Sequence, residues 1–240
     1  MKNNFLNFLF ALCGILLFSC DSSEDIDPDR IECADQQSVL INEADSIILA
    51  DMEWAGVPEG WKLMKDNPDA SGEGYLRWEG DNQYQNPGNG LITFSINITN
   101  PGTYRFTWSS AVTEGSEPTE SNDSWLRFPD ASNFYGKKGN GNVVYPKGSD
   151  KTPTPNGASK EGWFKIYRSG NPLTFKWDAN TSDNDAHKIY VTFESPGIYT
   201  MEVSGRSIGH AIDKFVLYQE AEYSKSEATE FPNFSEVGCK

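Results

Sequence analysis

The chain has 240 residues, 13% of them aromatic and 23% charged, which is the composition of an ordered globular protein and not of a disordered one. Its formal charge is −15, from 35 acids against 20 bases. An excess of that sign argues against a phosphate backbone as partner, so no nucleic acid is expected.

The N-terminal segment carries its own signal. Lys2 is the only charged residue before position 20, and Phe5 to Phe18 form an apolar stretch too short for a comfortable membrane span. The stretch ends in Leu17-Phe18-Ser19-Cys20, which resembles the lipobox of bacterial lipoproteins. That resemblance implies a signal peptide over residues 1–19, cleavage before Cys20 and lipidation there, with anchoring through several acyl chains. Residues 20–33 then read as a solvated acidic tether, since DSSEDIDPDR has five acids and no apolar periodicity. It is similar to the acidic export signal of lipoproteins in the Bacteroidota, which implies the outer face of the outer membrane. With Cys13 removed and Cys20 lipidated, Cys33 and Cys239 remain near the two ends of the mature domain. In an oxidising compartment they are expected to pair as a disulfide, the alternative being two free thiols.

Residues 34–240 read as one domain. Val39-Leu40-Ile41 and Ile47-Ile48-Leu49 enter the first strands, and residues 51–90 are rich in Gly, Pro, Asn and Asp punctuation around a short strand, Gly74 to Trp78. Leu91 to Ile98 alternates apolar and polar, Pro101-Gly102 turns, and Thr103 to Trp108 alternates again. A polar loop over 109–124 leads to Trp125-Leu126-Arg127-Phe128, and residues 129–160 are poor in apolar side chains. Gly162 to Tyr167 and Leu173 to Trp177 are further strands. Residues 189–194 and 198–204 repeat the earlier hairpin around Pro196-Gly197, with Tyr199 placed as Tyr104 is, and Phe215 to Tyr218 begins one more strand. No run of ten residues shows helical periodicity. The expected fold is all-β, a two-sheet antiparallel β-sandwich (jelly roll).

Candidate sites follow from residue types at loop–strand junctions. No HExxH or P-loop pattern occurs, and the two histidines are His187 and His210. His210 with Asp213 suits a base pair, although a structural hydrogen bond is the commoner use. A sugar site needs an exposed aromatic face beside Asn, Asp, Arg or His, because a pyranose presents apolar C–H faces and a rim of hydroxyls. That mixture occurs at Asn122, Asp123 and Trp125, at Trp163, and in the loop holding Arg206 and His210. Trp78, Trp108 and Trp177 lie within alternating strands and are expected in the core.

The stretches GYLRWEG, ITFSINITNPGTYRFTW, NDSWLRF, GWFKIY, PGIYTMEVSGRS and GHAIDKFVLY resemble the jelly-roll modules related to family 6 carbohydrate-binding modules. They are also similar to C-terminal domains of some bacterial glycoside hydrolases, and the resemblance covers about residues 38–220. It implies polysaccharide binding on loops or on a concave face. It also implies a structural Ca²⁺ ion held by Glu43, Asp45 and Asp213, hard oxygen donors of the kind calcium takes. This chain departs from the family in its Glu-x-Asp pair and in the insertion 129–160. Together these readings lead us to expect non-catalytic glycan binding by a lipid-anchored surface protein. The alternatives are a polysaccharide-degrading enzyme on the same fold and a protein-docking module.

Overall fold

A computed structural model describes residue 33 and residues 39–115, 120–155, 158–170 and 174–240. Among them are β1 (Val39–Asn42), β2 (Ile47–Asp51), β3 (Trp61–Met64), β4 (Tyr75–Trp78), β5 (Ile92–Ile98) and β6 (Gly102–Val112). There follow β7 (Asp123–Arg127), β8 (Asn133–Lys137), β9 (Val143–Val144), β10 (Ser159–Lys160), β11 (Trp163–Tyr167) and β12 (Lys176–Trp177). The last are β13 (Asn180–Thr181), β14 (His187–Phe193), β15 (Gly197–Ser204), β16 (His210–Tyr218), the short helix α1 (Lys225–Thr229) and β17 (Val237–Cys239). The fold is an all-β sandwich, as the alternating segments imply.

One layer runs β2-β16-β6-β14-β8-β9, and the other runs β17-β1-β5-β15-β7-β11-β10. Two details depart from a purely antiparallel pair of sheets. β1 lies parallel to β5, and β13 pairs with both β11 and β14, so hydrogen bonding passes from one layer into the other. The inward side of each strand supplies the core. Ile189, Val191 and Phe193 of β14, Phe106 and Trp108 of β6, and Phe164 and Ile166 of β11 are all buried there.

The repeated Pro-Gly-x-Tyr pattern has a physical cause. Tyr104 donates its hydroxyl to Asn100 O at 2.6 Å and Tyr199 donates to Ser195 O at 2.8 Å, each reaching back four residues across its turn. Both rings pack against Phe193, at 5.7 and 4.6 Å between centroids. One phenol thus satisfies a turn carbonyl and fills the core at once.

β16 carries a bulge at Asp213, where its register with β6 shifts between Ile212 and Lys214. Ile212, Phe215 and Leu217 face the main core, whereas Val216 and Tyr218 face a second cluster beneath α1 with Ile47, Leu49 and Ala228. Two inward residues three apart require one extra residue between them, and the bulge supplies it. The C-terminal segment is fastened to both layers, with α1 over the first and β17 at the edge of the second. Ser224 and Glu227 form a reciprocal cap on α1, β17 pairs with β1, and Cys33 and Cys239 are joined by a disulfide.

Trp78 organises the loops at the end of the sandwich where the site lies. Its indole sits against Gly60, Gly80, Gly90 and Gly205. A Cβ added at any of these four would come within 2.4 Å of the ring. Backbone from three loops therefore approaches one flat surface, which only glycine permits here. Trp78 Nε1 donates to Asp81 O, Trp61 Nε1 to Gly90 O, and Gly205 N to Asn89 O, so the loop 79–91 is pinned to the segment that carries Arg206.

Candidate functional site

A cavity of about 690 Å³ opens on the outward side of the second layer. Its floor is made by β7 and β11, where Tyr167 pairs with Asp123 and Lys165 with Trp125. Because Phe164, Ile166 and Leu126 alternate into the core, Lys165, Tyr167 and Asp123 point the other way. Tyr84 on the loop 79–91, Glu120, and Asp183 and Asn184 after β13 complete the rim.

Asp123 is the centre of the polar network. Arg206 Nη1 donates to both of its carboxylate oxygens at 2.6 Å, and Ser207 Oγ donates to Oδ1 at 2.5 Å. The Arg206 guanidinium lies 4.9 Å from the Tyr84 ring centroid and 5.1 Å from that of Trp125, sandwiched as a delocalised cation prefers. Lys165 Nζ donates to Asp183 and stands 4.0 Å from Asp123 Oδ2. Burial, with Arg206 adding to it and Asp123 opposing it, pushes the Lys165 ammonium down to about 8. Tyr84 remains 39% exposed, and burial together with nearby Glu120 and Asp123 raises its phenol.

Of the residues read from the sequence, Asn122, Asp123 and Arg206 line this cavity. Asn122 also donates its amide to Arg168 O at 2.9 Å, which ties β7 to the end of β11. Trp125 and Trp163 do not serve as open platforms. Both point outward from the core, but they are 2% and 3% exposed. The loop 79–91 covers Trp125, whose Nε1 donates to Gln83 O, and Arg127 lies 4.4 Å over the Trp163 ring. The aromatic surface at the cavity is instead tyrosine, from Tyr84 and Tyr167. Tyr84 could have been found, since an aromatic inside the polar run DNQYQNPGNG is the same signal that singled out Trp125.

His210 is a core residue. It is fully buried against Trp108 at 5.5 Å, and its Nδ1 shares a 2.8 Å hydrogen bond with Ser124 Oγ. Burial, then the nearby Arg168 charge, pushes it down to about 3, so it is neutral and away from the cavity.

The structure does not bring Glu43, Asp45 and Asp213 together. Glu43 accepts from the backbone of Ser46, Thr99 and Asn100 and from the Asn100 amide. Burial alone would raise its carboxyl, but the bonds from Asn100 and Thr99 hold it below the usual value. Those bonds use both of its oxygens. Asp45 is exposed in the adjoining turn, at φ 53°. Asp213, turned inward by its bulge, meets different acids. Ser71 donates its N–H to Asp213 Oδ1 at 2.9 Å and its hydroxyl to Asp51, and Glu73 N donates to Glu53.

A Cβ at Gly72 would lie 2.4 Å from Glu53 Oε1 and 2.6 Å from Asp51 Oδ2, so that glycine keeps the space between the two carboxylates open. Glu53 Oε2 is buried without a hydrogen-bond partner, and Asp213 Oδ2 meets the Lys214 ammonium at 3.5 Å. Burial and mutual repulsion push Asp51 to about 6 and Glu53 to about 8, and burial raises Asp213. Among the described residues no group of three or more acids, histidines or cysteines is placed to hold a metal ion as the side chains stand. Yet Glu53 Oε2, free beside a glycine-sized gap, suits a hard cation better than Glu43, whose two oxygens are both bonded.

No protein-family model matches the chain, and no curated protein matches it. Among solved structures it is similar to the Podospora anserina GH26-CBM35 β-(1,4)-mannanase, with a TM-score of 0.43 and 15% identity over 76% of this chain and 29% of that one. It is also similar to the Arthrobacter globiformis T6 isomalto-dextranase complexed with panose, with a TM-score of 0.39 and 12% identity over 73% of this chain and 24% of that one. The chain thus spans less than a third of either protein's length.

Proposed function

We propose that the chain binds a glycan, without cleaving it, in the cavity walled by Tyr84, Asp123, Lys165, Asp183 and Arg206. The observation that carries this reading is one exposed tyrosine face set beside acids and bases in a cavity of about 690 Å³. That volume falls within the range of small-ligand pockets, and a sugar needs such a mixture: an apolar surface for its C–H face, with acceptors and donors for its hydroxyls. Isothermal titration of the intact mature chain against a glycan panel tests it, repeated with Tyr84→Ala. The variant should weaken binding about tenfold, the loss expected for one aromatic stacking contact. Unchanged affinity places the site elsewhere. Release of reducing ends from any glycan in the panel would replace binding by hydrolysis, and a co-purifying protein with no glycan bound would favour the docking module.

Two further parts of the reading rest on other residues. Lipid anchoring at Cys20 on the outer-membrane surface rests on the lipobox-like stretch, and Cys20 lies outside the described residues. Incorporation of labelled palmitate should be lost in Cys20→Ser. The reading also includes a structural Ca²⁺ ion, which the family resemblance implies, with Asp51, Glu53 and Asp213 as its proposed ligands because Glu43 and Asp45 do not meet Asp213. When bound, it would add to the charge of Lys214, which stands 3.5 Å from Asp213 Oδ2, in neutralising the three carboxylates.

A further inference from the structure

We infer that the outward face of the first layer is a second glycan-binding surface, and that it takes an extended anionic polysaccharide. Strand register builds it. Tyr218 of β16 pairs with Arg105 of β6, Arg105 with Tyr190 of β14, and Tyr190 with Tyr135 of β8. Because Val144 of β9 pairs with Gly136, Tyr145 continues the same row past the last strand. Their neighbours Phe106, Ile189, Val191, Phe134 and Val144 fill the core, so these side chains all point outward. Tyr218 is sealed beneath α1, while Tyr190, Tyr135 and Tyr145 are half-buried at the surface. The Tyr190 and Tyr135 rings lie 5.5 Å apart and within 16° of parallel, and Tyr145 follows 6.3 Å from Tyr135. The result is an aromatic strip running across the strands. Its steps of 5.5 and 6.3 Å between ring centroids are comparable to the rise per residue of an extended pyranose chain.

Charge then selects the kind of chain. Lys137 Nζ stands 5.9 Å over the Tyr190 ring and Lys151 Nζ 5.8 Å over the Tyr145 ring. Lys151 donates only to neutral oxygens, Ser132 O and Asn133 Oδ1, and among the described residues neither ammonium has a carboxylate partner. The acid beside the row, Glu220, is already engaged, accepting from Arg105 Nη1 at 2.6 Å and from the Tyr190 hydroxyl at 2.9 Å. Both ammonium groups are on exposed residues, in a chain whose formal charge is −15. An anionic chain lying on the rings would meet these two cations. A neutral glycan would use the rings and leave both ammonium groups idle.

The test is binding of the intact mature chain to polygalacturonate, to a neutral β-glucan and to phosphatidylglycerol vesicles, at low and raised salt. The expected result is polygalacturonate binding at least tenfold tighter than the neutral glycan, weakened several-fold by salt and lost in Tyr135→Ala/Tyr190→Ala. Lys137→Glu/Lys151→Glu, at two exposed positions, should lower it at least tenfold, and Lys137→Gln/Lys151→Gln should lower it less. Absence of polygalacturonate binding, equal binding of the neutral glycan, or vesicle binding of the same strength would overturn the inference. So would polygalacturonate binding that survives both the tyrosine and the Lys→Glu double variants.

Discussion

Replacing Arg206 by alanine removes the cation that neutralises Asp123, and the structure sets the size of the effect. Asp123 is 3% exposed and the Arg206 side chain 11%, so neither charge has much access to water. Removing one member of such a pair leaves the other buried and uncompensated, which costs about 3–5 kcal/mol for a fully buried pair. Two groups soften the loss here: Ser207 Oγ still donates to Asp123, and Lys165 stands 4.0 Å away. The lower end, about 3 kcal/mol, is therefore expected, or roughly 6–12 °C in melting temperature for a domain of this size. Asp123→Asn, by contrast, strands a cation that still rests between two aromatic rings. The double variant should be more stable than the sum of the two single losses by at least about 1 kcal/mol. Urea unfolding of the four proteins measures this coupling. Strict additivity would refute the view that Arg206 and Asp123 act as one buried pair.

Three other outcomes follow from the same framework. Gly205→Ala puts a methyl group about 2.3 Å from the Trp78 indole, and should cost about 1–3 kcal/mol by overpacking while displacing Arg206, measurable by unfolding and by loss of glycan affinity. Lys165 has a folded-state value near 8, below its unfolded 10.5, so the folded chain holds fewer protons between those limits. Stability should then rise with pH from about 8 to 10.5 relative to Lys165→Met, and parallel pH profiles of the two proteins would show otherwise. Calcium should raise the melting temperature of the chelator-treated protein and should fail to do so in Glu53→Gln/Asp213→Asn; an unshifted wild-type midpoint removes the ion.

The hairpins were legible in advance because alternation and Pro-Gly turns are local properties. Tyr104 and Tyr199 even marked their own turns, since each bond reaches back only four residues. What escaped was decided by distant chain. Trp125 and Trp163 do leave the core at loop–strand junctions, but whether an indole stays wet depended on Arg127 and on a loop 40 residues away. Which acidic pair comes near Asp213 was decided in a similar way. Glu43-x-Asp45 and Asp51-x-Glu53 look alike in sequence, and only the pairing of β2 with β16 selects the second as neighbour of Asp213. One local clue was available: Asp213-Lys214 between Ile212 and Phe215 breaks the two-residue period, which is how a bulge looks in sequence.

That bulge makes β16 a strand of two halves that do not share a parity. If Asp213 were deleted, the strand would become regular, and one half would have to roll over. Either Phe215 and Leu217 would swing out under α1 while Val216 and Tyr218 turned inward, or His210 and Ile212 would leave the interior. Residue count along this one strand is accordingly less forgiving than side-chain identity. Engineering that lengthens or shortens the chain belongs in the loops on either side.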